Sequence, residues 1–273
     1  SAASLGPHTN MNTSANSLSE LRIAGVVTPL GPFGFSTRED GWMLGFHVNP
    51  WRLLDGPLNF TELRVTKPMP MEQIDAAKAG LAATSVVSLL IRDLEPTERG
   101  THIARLEEVA VLNTSDHEME AAAAELRLPV ALHTETLGML RLDRRINIFE
   151  GEVTYLGRSV QLSIPAVHNS SEVDAGALSV AIQLVANLSH VDRAATQFAA
   201  SRLTQLKNDS WLEENENDVS EREFQQRLVL AVIEAEADGG ISLFYDDGNL
   251  FFGHSIDVRG VVTGEFYEAS ISG

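Results

Sequence analysis

The chain has 273 residues, 44% of them apolar, no cysteine, and a formal charge of −18 from 38 acidic and 20 basic side chains. That length holds one large domain or two ordinary ones, with enough apolar content for a sizeable core. The missing thiols exclude disulfide scaffolds, thiolate metal sites and cysteine nucleophiles, and the acidity argues against nucleic acid, whose phosphates need Lys and Arg on a surface.

Residues 1–20 contain no Lys or Arg and no apolar block, so they read as a disordered leader or cloning remnant, with Met11 as a candidate start. No apolar run approaches the roughly 18 residues of a membrane span. A cytoplasmic setting without membrane contact is the expectation. Leu21 to Val27, Trp42 to Val48, Leu58 to Val65, Ser85 to Ile91 and Ile103 to Leu112 read as strands, and Met71 to Leu81 as a short helix. Ser115 and Glu118 match a capping box, in which two side chains satisfy the opening N–H groups of a helix. Met119, Ala122, Ala123 and Leu126 share a face of that helix, and Pro129 stops it. A junction is expected over residues 127–133, giving an N-terminal α+β domain over 21–128 and a C-terminal one over 129–273.

The second half opens with a meander over Leu137 to Leu142, Ile146 to Thr154 and Ser159 to Ile164, turning at Asp143-Arg144 and Leu156-Gly157. Two helices follow, one striped with Ala177, Ala181, Leu184, Val185 and Leu188, the next with Ala195, Phe198, Ala199, Leu203 and Leu206. Ser189 and Asp192 are candidate caps for the second. Ser220 to Glu223 is another capping box, and strands and turns fill the chain from Leu228 onward. The Leu-Gly-led segments at 30–48 and 137–153 echo one another, which allows two related halves. The fold class is α+β, with antiparallel sheets and a few amphipathic helices packed against them.

Ile241 to Ser255 carries the richest local pattern. A tight turn at Asp247-Gly248 would set Asp246 opposite Asn249, Tyr245 opposite Leu250, Leu243 opposite Phe252 and Ile241 opposite His254. A second turn near Thr263-Gly264 would bring Ala269 and Ile271 opposite Val258 and Ile256. In this register His254 sits among apolar neighbours while Asp246 and Asp257 point away, as for a structural histidine. A general base or metal ligand at His254 is the competing reading. Asp246 to Asn249 begins like a calcium loop but continues with Leu250 and Phe251, so it is a turn. Trp211 either closes over the core or anchors a partner. Glu150 and Glu152 share a strand face, where a solvated pair is commoner than a glycosidase pair. The other histidines lack metal-ligand spacing, and no phosphate loop or nucleophile elbow occurs. No metal and no cofactor are expected.

Leu142-Asp143-Arg144-Arg145, Phe149-Glu150-Gly151, Lys207-Asn208 with Trp211-Leu212, Phe224 with Arg227, Asp246 to Ile256 and the terminal Ile271-Ser272-Gly273 occur in order. Together they resemble the uncharacterised bacterial family called domain of unknown function 2262, strongly from about Ala123 to the end and in layout from Leu21 to Asn113. Two departures stand out: Asn249 where the family usually has Asp, and Phe252 where it usually has Trp. The resemblance implies a bacterial, cytoplasmic setting and brings no reaction, cofactor or catalytic residue. The expected function is therefore a non-enzymatic protein-interaction module, of immunity type in its most specific form, taking a basic partner, with Trp211, Asp246, Asp247, Asn249 and His254 as candidate binding residues. The alternatives are a hydrolase using His254 with a carboxylate and a scaffold subunit of a homo-oligomer.

Overall fold

A computed structural model describes residues 20–39, 41–54, 56–110, 116–168 and 170–273. The expected leader, with Met11, and the Ser115 cap lie outside the described residues. The chain divides into two compact units, 1–127 and 128–273.

The first unit runs β1 (Leu21–Val27), β2 (Phe33–Thr37), β3 (Gly41–Leu53), β4 (Leu63–Pro68), α1 (Met71–Ala79), β5 (Val86–Pro96), β6 (His102–Ala110) and α2 (His117–Arg127). Its sheet order is β1-β5-β6-β4-β3-β2, and β1 also pairs with β3. Five strands therefore close on themselves, with β2 hanging on the outside of β3. Every neighbouring pair in the ring is antiparallel except β4 with β6. A ring in which the third strand leads through a helix to the fourth, and the fifth returns beside the third, has the connectivity of an OB-type Greek-key barrel.

Period-2 alternation fills the barrel. Leu44, Phe46 and Val48 of β3 and Leu63 and Val65 of β4 point inward with Leu89, Ile91, Ala104 and Leu106. From Ile23 onward β1 reads as an apolar run because both of its faces are covered there. Ile23 and Val27 enter the barrel, while Ala24 and Val26 meet Met119 and Ala123 of α2. Asp116 caps α2 by accepting the Met119 N–H at 3.2 Å, and Arg52 of β3 reaches Asp116 and Glu118 at 2.5 and 2.7 Å. The strand expected from Leu58 begins only at Leu63, since 58–62 form a loop that touches β3 through the Trp51–Asn59 bridge.

The second unit contains β7 (Ala131–Thr134), β8 (Gly138–Asp143), β9 (Ile148–Tyr155), β10 (Arg158–Pro165), α3 (Ala175–Ala186), α4 (Leu188–Ser210), α5 (Glu221–Arg227), β11 (Val229–Ala235), β12 (Gly240–Asp246), β13 (Ser255–Val261) and β14 (Phe266–Ser272). These strands form one eight-stranded sheet in reverse sequence order. All neighbours are antiparallel except β10 and β11, which the three helices connect as a crossover. The mean class is α+β in two sheet-containing halves, but the halves are connected differently, one closed and one open.

One face of the open sheet carries Leu140, Val160, Leu162, Ile164, Ile233, Leu243 and Val258, all buried with Ala177, Ala181, Leu184, Ala195, Ala199 and Leu203 of α3 and α4. Small alanines on both helices allow the close approach. Asp174 caps α3 and Ser220 caps α5, each accepting an N–H three residues on. α4 lacks the Ser189–Asp192 cap: it follows α3 after Asn187, whose side chain makes no capping bond. Asp192 instead accepts the Tyr155 and Tyr245 hydroxyls at 3.0 and 2.9 Å, pinning α4 to β9 and β12. Burial first, then the Asp192 charge, pushes the Tyr245 phenol well above its ordinary value. Among the described residues no helix is long and apolar enough to cross a membrane.

Candidate functional site

The C-terminal hairpin does not turn at Asp247-Gly248. Tyr245 pairs with Ile256 and Asp246 with Ser255, so residues 247–254 form a loop of their own, and the expected Leu243–Phe252 and Ile241–His254 pairs do not form. The next turn follows the expected register, with Ile256 opposite Ile271 and Val258 opposite Ala269.

The loop is organised from inside by Asp247, which is 4% exposed. Its carboxylate accepts the N–H groups of Asn249, Phe251 and Gly253 at 3.0, 2.5 and 3.2 Å. Three amides on one carboxylate fix the backbone in the way an Asx turn does, but over six residues. Gly248 has φ +54°, and a Cβ there would lie 2.4 Å from the Arg227 carbonyl oxygen. Leu250 and Phe251 are thereby driven into the core. Phe252 goes the other way: it has φ +58° and is 53% exposed. A bulky residue in the left-handed region, with its ring in solvent, is held there by the loop against its own preference.

The C-terminal end of α4 meets this loop. The Trp211 ring centroid lies 5.5 Å from those of Phe251, Phe252 and His254. Lys207, fully buried, donates to the Trp211 carbonyl at 2.7 Å and to Glu216 at 2.6 Å. Glu216 also accepts the Glu213 N–H and lies 3.5 Å from Arg227. The bond from the Lys207 ammonium, then that from the Glu213 amide, holds the Glu216 carboxyl below its usual range. The result is an aromatic patch on an ion-paired base, and the chain segments that build it also carry the exposed acids Asp209, Glu213, Glu214, Asp218 and Asp246.

The structure thus gathers Trp211, Asp247, Asn249 and His254 around one loop, with Asp246 at its entrance. His254 Nδ1 is 2.7 Å from the Phe251 carbonyl oxygen, so a main-chain group orients the ring. Asp257 is buried and paired with Arg259 at 3.0 Å. Glu150 lies elsewhere, in an open groove of about 520 Å³ with Arg141, Glu152, Gln161 and Ser163. Among the described residues no group of three His, Asp or Glu could hold a metal ion. Sequence reasoning named Lys207 and Phe252 only in the family resemblance and the hairpin register and not as binding candidates; a lysine amid an apolar helix stripe and an aromatic pair after Asp-Gly were the available signals.

A family model described as an uncharacterised protein conserved in bacteria, domain of unknown function 2262, matches residues 134–271. A second, domain of unknown function 7021, matches residues 13–126. Comparison with curated proteins finds no match. Among solved structures, a small single-stranded DNA-binding protein from Streptomyces coelicolor matches at 17% identity and TM-score 0.25, covering 34% of this chain and 91% of that one. With this finding the exclusion of nucleic acid drawn from net charge is withdrawn. A likeness this slight carries no argument for a ligand. Net charge is a sum and does not show where charges sit: both units are acid-rich, residues 1–127 with ten basic and sixteen acidic side chains and residues 128–273 with ten and twenty-two, and a local group of arginines is invisible to either total.

Proposed function

This chain belongs to the bacterial family known as domain of unknown function 2262, and we propose that it is a non-enzymatic protein-interaction module whose second unit takes a basic partner. The observation that supports this most is Phe252, an exposed ring held at positive φ beside Trp211 by the buried Asp247 carboxylate. Rigid aromatics lose little entropy on binding and dominate interface energetics. The exposed acids on the same segments suit a partner rich in Lys and Arg, whose stems pack on rings while its charges meet carboxylates. A hydrolase reading needs a carboxylate at the imidazole, and the bond from His254 runs to a carbonyl instead.

The test is recovery of the tagged full chain from its native host. A basic protein in stoichiometric amount is expected at low salt, lost when ionic strength approaches about 1 M, where screening shortens to ~3 Å. Phe252→Asp should lose it with the melting temperature unchanged. Repeated recovery of the chain alone, or of partners indifferent to Phe252→Asp, would overturn the reading. Dimers by light scattering that persist in Phe252→Asp would favour the homo-oligomer alternative.

A further inference from the structure

The outer surface of the barrel carries a second, chemically different feature. Strand register decides which side chains share it. Phe33 pairs with Gly45 and Phe35 with Met43, Gly45 pairs with Thr66 and His47 with Arg64, and Arg64 and Thr66 pair with Ile103 and Arg105. Residues paired across strands point to the same side, and Leu44, Phe46 and Val48 point into the barrel. Phe33, Phe35, His47, Arg64, Thr66 and Arg105 therefore lie together on the outside. The opposite side of β2 is where Gly34 meets Ile74 of α1.

The rings are arranged, not scattered. Phe33 and Phe35 have centroids 5.8 Å apart, and His47 meets Phe33 edge-on at 5.7 Å. The Arg64 guanidinium carbon sits 5.3 Å from the Phe35 centroid. Both phenyl rings lie across Gly45, where a Cβ would come within 2.9 Å of ring atoms of each. Glycine at that place lets the rings lie down along the strand.

The charges are unevenly spent. Among the described residues Arg64 makes no ion pair, whereas His47 is 3.1 Å from Glu62. Arg105 is loosely held, 3.9 Å from Asp93 with its side chain 45% exposed. Two phenyl rings, an imidazole and two available guanidinium groups on one sheet face match bases that stack and phosphates that need a cation.

We propose that this face of β2, β3, β4 and β6 binds single-stranded nucleic acid by stacking bases on Phe33 and Phe35 and pairing phosphates with Arg64 and Arg105. A duplex is refused, since its base faces are already stacked. A neutral glycan also stacks on aromatic rings but gives an unpaired arginine no anion. Against the chain's overall negative charge the binding is weak, sequence-tolerant and steeply salt-dependent.

Fluorescence anisotropy of the full chain with labelled oligo-dT and oligo-U of about 12 nucleotides tests this, since one barrel covers ~4–16. A matching duplex and an uncharged oligosaccharide serve as comparisons. Binding of the single strands at low salt is expected, weakened about tenfold by Arg64→Ala and by Phe35→Leu, each removing one cation or one ring face. Phe35→Leu keeps an apolar side chain on Gly45, and melting curves verify that both variants fold. Arg222→Ala, an exposed cation of the second unit, should change nothing. No binding at any salt, equal binding by folded variants, or preference for the duplex or the glycan would overturn the proposal. Because these variants leave Phe252 and Trp211 intact, failure here leaves the basic-partner reading standing.

Discussion

The carboxylate of Asp247 stands in for the acceptors that a tight two-residue turn would have supplied, and its charge is what three amides share. Asp247→Asn keeps the shape and removes the charge, so unfolding stability should fall by about 2–3 kcal/mol in urea titration. Asp192 shows how a sequence signal misleads at this scale. Near the start of a helix an aspartate looks like a cap, but this one is an acceptor for Tyr155 and Tyr245 from strands 37 and 53 residues away in sequence. Asp192→Ala leaves the buried Tyr245 hydroxyl without its acceptor and should cost about 1–3 kcal/mol. Because the folded Tyr245 phenol is raised, the stability tied to its protonation is whole below about pH 10 and lost as pH climbs toward the folded value. An ultraviolet titration of the native protein should find this tyrosine ionising last.

Local elements were legible where the signal was local. The Ser220 cap, the α1 span beginning at Met71 and the alternation of Ile241, Leu243 and Tyr245 follow from a few neighbouring residues. The hairpin register was not, because Asp-Gly marks a two-residue turn only when nothing nearby competes for its carboxylate. Here amides two, four and six residues on compete and win, and Gly248 is spent on close approach to Arg227. Gly248→Ala should therefore lose more than the ~1 kcal/mol of an ordinary positive-φ glycine, checked by thermal unfolding. At the α4 corner the lowered Glu216 carboxyl sets a pH response. Its contribution is present above the unfolded carboxylate value and disappears as pH falls through the lower folded one. Glu216→Gln should flatten the stability curve on its acid side, below the ordinary carboxylate range, measured by denaturant midpoints.

At the scale of the molecule, the class and the cores were readable from period and composition, and the closure of the first sheet was not. Barrel closure depends on β1 finding β3 and β5 while β4 finds β6 in parallel, pairings no single window contains. A net charge is blind in the same way, since it does not say which side chains share a face. The larger core cluster is built wholly from residues 137–258, so the fragment 128–273 should unfold as one cooperative transition when expressed alone, by circular dichroism. Of the three lysines, Lys67 and Lys78 belong to the first unit and Lys207, without any solvent exposure, to the second. An acylating reagent applied to the native protein will therefore mark the first unit and spare the second. The moment mass spectrometry finds adduct at Lys207, the α4 corner has opened, and one amine becomes a built-in clock for the unfolding of half the chain.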